Sequence, residues 1–168
     1  MSGPLPGADA DAYPYARAWN YALWLLGRQA YTTGQLRDKL TRKGASADTT
    51  ERVLAKLIEL RLVDDALYAE AFVRTRSHSK GTIRLRQELF HKGVAAPLVD
   101  RAVGALDGAT QLGSAAALAQ KNLWRWRGEP QARYAKAYAF LARRGFPADI
   151  VRAALEQTLT ERAEDGDN

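Results

Sequence analysis

The sequence predicts an all-α protein of three tandem three-helix, helix-turn-helix-like repeats in an elongated, curved array. Three observations predict it. First, a pattern recurs before three glycines: Leu36-Arg37-Asp38-Lys39-Leu40-Thr41-Arg42-Lys43-Gly44, Leu85-Arg86-Gln87-Glu88-Leu89-Phe90-His91-Lys92-Gly93 and Ala137-Tyr138-Ala139-Phe140-Leu141-Ala142-Arg143-Arg144-Gly145. In each, apolar or small residues lie four apart, then come a basic residue and glycine. Second, the glycines are spaced by 49 and 52 residues, and Leu54, Val103 and Leu155 each follow their glycine by ten. A period near 50 residues with a matching interior is an internal repeat. Third, no apolar alternation of strand length occurs anywhere.

The elements follow in order. Residues 1–14 hold three prolines and two glycines without helical periodicity, and read as a flexible tail. Repeat 1 is assigned to residues 15–62. Its first helix runs from about Tyr15 to Gln29, with Trp19, Leu23 and Leu26 on one face and Tyr21, Trp24 and Leu25 widening the apolar side. Its second starts at Thr32 or Thr33, either of which can cap it, and stops at Gly44, where a left-handed conformation favours glycine. The third opens on a capping box of Asp48 and Glu51 and buries Val53, Leu54, Leu57 and Ile58.

Repeat 2 is assigned to residues 63–108. Asp64-Asp65 suit a helix N-terminus. Tyr68, Phe72 and Val73 point inward, and Glu70 and Arg74, four apart, are expected to pair outside. The second helix is about Thr82 to Lys92. The third is about Pro97 to Leu106, with proline in the tolerated first turn. Repeat 3, residues 109–160, has helices near Leu112–Trp126, Pro130–Arg144 and Pro147–Leu159. Residues 161–168 carry four acids and one arginine, and read as an acidic tail. A lone unit of about 50 residues buries too little surface for comfort, and stacked neighbours would extend its core.

Composition excludes several functions. The 168 residues contain no cysteine, so there is no disulfide, thiolate nucleophile or cysteine zinc site. There is no phosphate-binding glycine loop, His-Glu-x-x-His or Gly-x-Ser-x-Gly, so no enzyme, cofactor or metal site is expected. The two histidines, His78 and His91, read as ordinary polar helix residues. No apolar run reaches membrane-spanning length, and no export signal is evident. A cytoplasmic monomer with no membrane association is the expectation. The net charge of +6 favours an acidic partner, either nucleic acid or an acidic protein groove.

That charge is concentrated. Arg74–Lys92 holds six Lys/Arg and one Glu, and Lys121–Arg144 seven and one. Lys43, Lys92 and Arg144 precede the repeat glycines, where a cation complements the helix dipole. Arg86 falls between Leu89 and Phe90 on the helical wheel. It should be partly buried and need a carboxylate, with Asp64 or Asp65 the natural candidate. Arg84, Gln87 and His91 face the other way. Lys136 and Arg143 are seven apart, opposite Tyr134, Tyr138 and Leu141. The partner- or DNA-binding candidates are Lys80, Arg84, Arg125, Arg127, Arg133, Lys136 and Arg143, with a solvated face as the bland reading. Trp124-Arg125-Trp126-Arg127 alternates aromatic and basic residues, as some single-strand binders do. Residues two apart on a helix point apart, so both tryptophans enter one core only if the helix ends between them, which Gly128 and Pro130 permit. Core packing and base stacking are both open.

Leu62-Val63-Asp64-Asp65, Tyr68-Ala69, Phe72-Val73-Arg74, Arg76, Gly81, Arg84-Leu85-Arg86-Gln87-Glu88-Leu89 and Lys92-Gly93 resemble the RecX family of bacterial recombinase regulators. Leu36-Arg37-x-Lys39-Leu40-x-x-Lys43-Gly44 and Leu141-x-x-Arg144-Gly145-Phe146 resemble that family's first and third repeats. The resemblance covers roughly Ala18 to Leu159. It implies three three-helix repeats that bind in the groove of the RecA–DNA filament. There the family restrains filament growth, ATP hydrolysis and strand exchange in recombination and SOS repair, with non-specific contact to DNA phosphates open. Asp107–Gly113 departs from the family by lacking an acidic helix start. The alternative is a helix-turn-helix DNA-binding protein, but the third helix of the central unit offers base edges only Arg101 and Asp100.

Overall fold

The structure is a computed structural model that describes residues 13–165, with side chains described as far as Leu159. Its described residues form helices α1 (Tyr15–Leu26), α2 (Thr33–Arg42), α3 (Ala47–Glu59), α4 (Asp65–Arg76), α5 (Thr82–His91), α6 (Ala96–Gly104), α7 (Gly108–Asn122), α8 (Pro130–Arg143) and α9 (Ala148–Asp165), with a 3-10 turn at Leu123–Arg125 and no strand. The expected N-terminal tail lies outside the described residues as far as residue 12. The expected acidic tail is helical in its backbone up to Asp165, and residues 166–168 lie outside the described residues. The chain packs into two compact units. One takes the residues up to Tyr68 together with Lys92–Val94, and the other takes Ala69–His91 and everything from Ala95 onward.

In the first unit, α1 and α2 both pack on α3 around Ala18, Ala22, Leu25, Leu36, Leu40, Ala45, Val53, Leu54, Leu57 and Val63. The buried face of α1 is therefore Ala18–Ala22–Leu25; of the expected apolar side Leu25 is buried, Trp19, Tyr21 and Leu26 are half-buried, and Leu23 and Trp24 are exposed. The small alanines let the helix approach its neighbours closely. Larger residues such as Trp19 and Leu26 then cover the seam from its edge. Trp24 and Ile58 are about half exposed, at 55% and 51%.

Caps set the helix starts. Thr32 closes a capping box with Gln35, its side chain accepting from the Gln35 amide at 3.1 Å. Its buried hydroxyl also donates to the Lys92 carbonyl. Ser46 caps α3 through the Thr49 amide at 3.2 Å; the helix begins at Ala47, so Asp48 lies inside its first turn, and Glu51 bonds Arg37. The three repeat glycines all take the left-handed conformation, with φ of 92° at Gly44, 75° at Gly93 and 84° at Gly145. Arg61 takes it too, at φ 55°, and the Leu62 amide reaches back to the Leu57 carbonyl at 2.9 Å.

In the second unit, α7 lies against α9, α8 packs on α9, and α5 packs on α6. The α7–α9 core is Ala115, Ala119, Leu123, Trp126, Ala137, Leu141, Phe146, Val151, Ala154 and Leu155. Phe72, Val73, Leu85, Leu89, Val99 and Val103 are also buried, whereas Phe90 is 48% exposed. Glu70 bonds Arg101 at 3.3 Å, so the expected Glu70–Arg74 pair is replaced by one between helices. Helix α7 starts earlier than expected. The Asp107 side chain accepts from the Thr110 amide at 2.6 Å and caps it, so this helix does have an acidic start. That hydrogen bond holds the Asp107 carboxyl below its ordinary pKa.

Backbone meets backbone where α5 begins. The Gly81 amide donates to the Arg144 carbonyl at 2.9 Å, and the Ile83 amide to the Gly145 carbonyl at 3.0 Å. A Cβ on Gly81 would lie 2.3 Å from the Gly145 oxygen, which only glycine avoids. The first unit holds a counterpart, where a Cβ on Gly34 would lie 2.6 Å from the Gly93 Cα.

Candidate functional site

The basic residues of α5 and its approach are tied to carboxylates. Lys80 Nζ donates to both oxygens of Glu88 at 2.7 and 2.6 Å, and Arg84 Nε donates to Glu88 at 2.9 Å. Lys80 and Glu88 are each only 21% exposed along their side chains. Burial pushes the Glu88 carboxyl upward, but the hydrogen bonds from Lys80 and Arg84 outweigh it and leave the pKa lowered. Arg86 is half-buried, as expected, but it pairs with Asp100 and not with Asp64 or Asp65. Asp64 caps α4 through the Leu67 amide at 3.0 Å. Asp65 accepts from the Thr33 amide at 2.9 Å and from its hydroxyl at 2.5 Å.

The Arg86–Asp100 pair repeats an earlier one. Arg37 and Glu51 stand 49 residues before them and are joined by two bonds, at 2.6 and 3.2 Å. The Arg37 hydrogen bond lowers the Glu51 pKa, and the same bond raises that of Arg37. The cations before the repeat glycines also have structural positions. Lys43 sits 5.1 Å over the Tyr21 ring, and Arg144 sits 5.2 Å over Phe140 while donating to the Ser79 carbonyl at 3.4 Å.

The chain from Leu123 to Arg143 differs. Helix α7 stops at Asn122, and the 3-10 turn sends consecutive side chains to different sides. Leu123 and Trp126 go into the core, where Trp126 meets Phe140 edge-on at 5.5 Å. Trp124 goes out and is 70% exposed. Of the two tryptophans in the Trp-Arg-Trp-Arg run, Trp126 therefore packs in the core and Trp124 is left open to solvent. Arg125 is anchored to Asn122 Oδ1 at 3.3 Å. Gly128 turns the chain at φ 113°, and Pro130 opens α8.

A cleft of about 410 Å³ results, lined by Leu123, Trp124, Trp126, Arg127, Gly128 and Arg133. Lys136 Nζ donates to the Arg127 carbonyl at 3.2 Å, fixing the loop at its rim. Arg127, Lys136 and Arg143 are exposed and Arg133 is half-buried. Among the described residues, none of Arg125, Arg127, Arg133, Lys136 and Arg143 makes an ion pair. The structure thus brings Lys80 and Arg84 together on Glu88 and gathers Arg127 and Arg133 at the cleft. The sequence reading missed Glu88 as the counter-ion, although it stands four residues after Arg84, one helical turn away.

Both histidines are exposed, and the described residues contain no group of three or more His, Asp or Glu placed to hold a metal. No described helix is long and apolar enough to cross a membrane.

The nine helices of the described residues, in tandem groups of three, define an all-helical tandem-repeat protein. Comparison with known proteins gives that class its family. Three family profiles match in order: RecX, first three-helix domain, over residues 18–57; second three-helix domain, over 64–103; and third three-helix domain, over 109–155. The regulatory protein RecX of Prosthecochloris aestuarii is 35% identical, across 91% of this chain and 99% of the relative. That of Thermobifida fusca is 36% identical, across 94% and 86%. The crystal structure of RecX from Lactobacillus salivarius superposes with a TM-score of 0.78 at 26% identity, over 86% of this chain and 96% of the other. This chain belongs to the RecX family of regulatory proteins.

Proposed function

We propose that this chain is a non-enzymatic cytoplasmic regulator of RecA. It acts as a monomer, binds in the groove of the RecA–DNA filament, and restrains filament growth, ATP hydrolysis and strand exchange. Membership of the RecX family is the observation that carries the reading. The uncompensated cations from Arg125 to Arg143 support it, because exposed charge without an internal counter-ion is available to an acidic groove or to phosphates. Several weak contacts held on one scaffold act together, so no single side chain need dominate. Lys80 and Arg84 flank this surface in the proposal and contribute less, being shared with Glu88.

Base-specific reading in the manner of a helix-turn-helix protein has less support. Arg101 is engaged by Glu70, and Asp100 by Arg86. On α3, Arg52 lies 3.6 Å from Asp48 and Lys56 3.0 Å from Glu59. The test is RecA-dependent ATP hydrolysis on single-stranded DNA, using RecA from the same source. The rate should fall as this protein is added, and an unchanged rate at saturation would refute the proposal.

A further inference from the structure

We infer that the cleft between the 3-10 turn and α8 is a binding site for one nucleotide unit of single-stranded nucleic acid. The base stacks on the Trp124 indole, and the phosphate lies between Arg127 and Arg133. The inference deepens the proposed function by naming a direct nucleic-acid contact, and it can be tested without RecA.

Four observations converge on it. Among the described residues Trp124 is the most exposed large apolar side chain, at 70%. Trp24, the next tryptophan in exposure, has its ring occupied: it stacks on Tyr21 at 6.0 Å and carries Arg28 at 4.9 Å. Among the described residues Trp124 has neither kind of partner. Leaving an indole open to water forfeits the burial that Trp126, two residues on, achieves at 7% exposed. Second, Arg127 and Arg133 line the same cleft. Glu129 is the only acid from Lys121 to Arg144, and its carboxylate makes no ion pair among the described residues. Guanidinium suits phosphate because its planar fork can donate two bonds at once.

Third, the size fits. A volume of about 410 Å³ lies at the lower end of small-ligand sites, room for one nucleotide but not for a duplex. Fourth, the cleft is built. Trp126 anchors its floor against Phe140, Gly128 turns the loop with φ 113°, and Lys136 holds the Arg127 carbonyl. An open aromatic face beside phosphate-binding cations is the combination that single-strand binders use, and it tolerates any base because every base has a π face.

The experiment uses the full chain, a labelled oligothymidylate, the matching duplex and a polyglutamate peptide. Binding is read by anisotropy at two salt concentrations and by tryptophan emission. The single strand should bind and change the emission. Trp124→Ala should weaken it about tenfold. Trp124→Phe, which keeps a ring, should retain most of the affinity while losing the emission change. Arg127→Glu with Arg133→Glu should abolish the phosphate contribution and lower the salt slope by about one per cation removed. Both tryptophan variants should fold normally, since the side chain is exposed, and far-UV circular dichroism checks this. Equal affinity of Trp124→Ala and the parent for the single strand overturns the inference. So does a Trp124-dependent preference for the duplex or for polyglutamate.

Discussion

Residues 74–92 and 121–144 carry nearly the same positive excess, +5 and +6, yet the fold treats them differently. In the first stretch Lys80 and Arg84 share Glu88, and Arg86 is held by Asp100. In the second, Arg127, Arg133, Lys136 and Arg143 have no ion-pair partner among the described residues. One cluster is tied to carboxylates of the fold, and the other is not. Counting basic residues therefore does not find a binding surface. Pairing each with its nearest carboxylate separates cations committed to the fold from cations with charge to spare, because an internal ion pair has already satisfied the field a partner would answer.

If the first cluster is part of the fold, the strongest way to break it is at Gly145. A Cβ there would lie 2.3 Å from the Arg84 Cβ and 2.4 Å from its backbone nitrogen, on a backbone with φ 84°. Gly145→Ala should cost about 2–5 kcal/mol, combining left-handed strain with overpacking. Gly44→Ala is the control, since φ is 92° but nothing lies within 4 Å. It should cost only the conformational part, about 1–2 kcal/mol. Equal costs in urea melts would remove the contact from the account.

Glu88→Gln should come next, at about 1.5–3 kcal/mol near neutral pH, by weakening the charged hydrogen bonds from Lys80 and Arg84. The pH dependence fixes the sign. The folded Glu88 pKa is lowered, so its stabilisation is present above the unfolded value of about 4.3 and is lost as pH falls through the folded value. Thermal melts of parent and variant should differ at pH 7 and converge below about pH 4, toward the folded value. A constant gap would show that the glutamate acts by packing alone.

The smallest effects belong to the two repeated pairs. The side chains of Arg86 and Asp100 are 39% and 64% exposed, and those of Arg37 and Glu51 47% and 58%. Exposed pairs contribute about 0–1 kcal/mol, so Arg86→Ala and Arg37→Ala should each shift the melting temperature only slightly, and by similar amounts. A loss of several kcal/mol at Arg86 alone would mean that its pair is effectively buried.

Local rules made much of the fold legible. The glycine after α2, α5 and α8 follows from left-handed backbone geometry, and the repeat from spacing alone. Choices settled by tertiary contact were not legible. Glu51 looked like a capping residue because Asp48 precedes it by three, but Arg37 on another helix claims it and Ser46 caps instead. The α1 face was misjudged because hydrophobic size favours Trp19 and Leu23, whereas close helix approach selects Ala18 and Ala22. The helical wheel placed Arg86 at the edge of burial but could not name Asp100. The 49-residue step from Arg37 and Glu51 links both pairs once either is known. At the candidate site the basic residues were visible in sequence. The division of Trp124 from Trp126 depended on a 3-10 turn of three residues, which carries no periodic signal.

The most direct test of the contrast is the affinity for RecA–DNA filaments of two variants, Arg84→Glu and the double reversal Lys136→Glu with Arg143→Glu, at low and moderate salt. The account predicts that the double reversal weakens binding about tenfold or more at low salt and flattens its salt dependence, while Arg84→Glu stays within about threefold of the parent. Wild-type affinity in the double reversal, or a larger loss from Arg84→Glu, would contradict it and move recognition to the paired cluster.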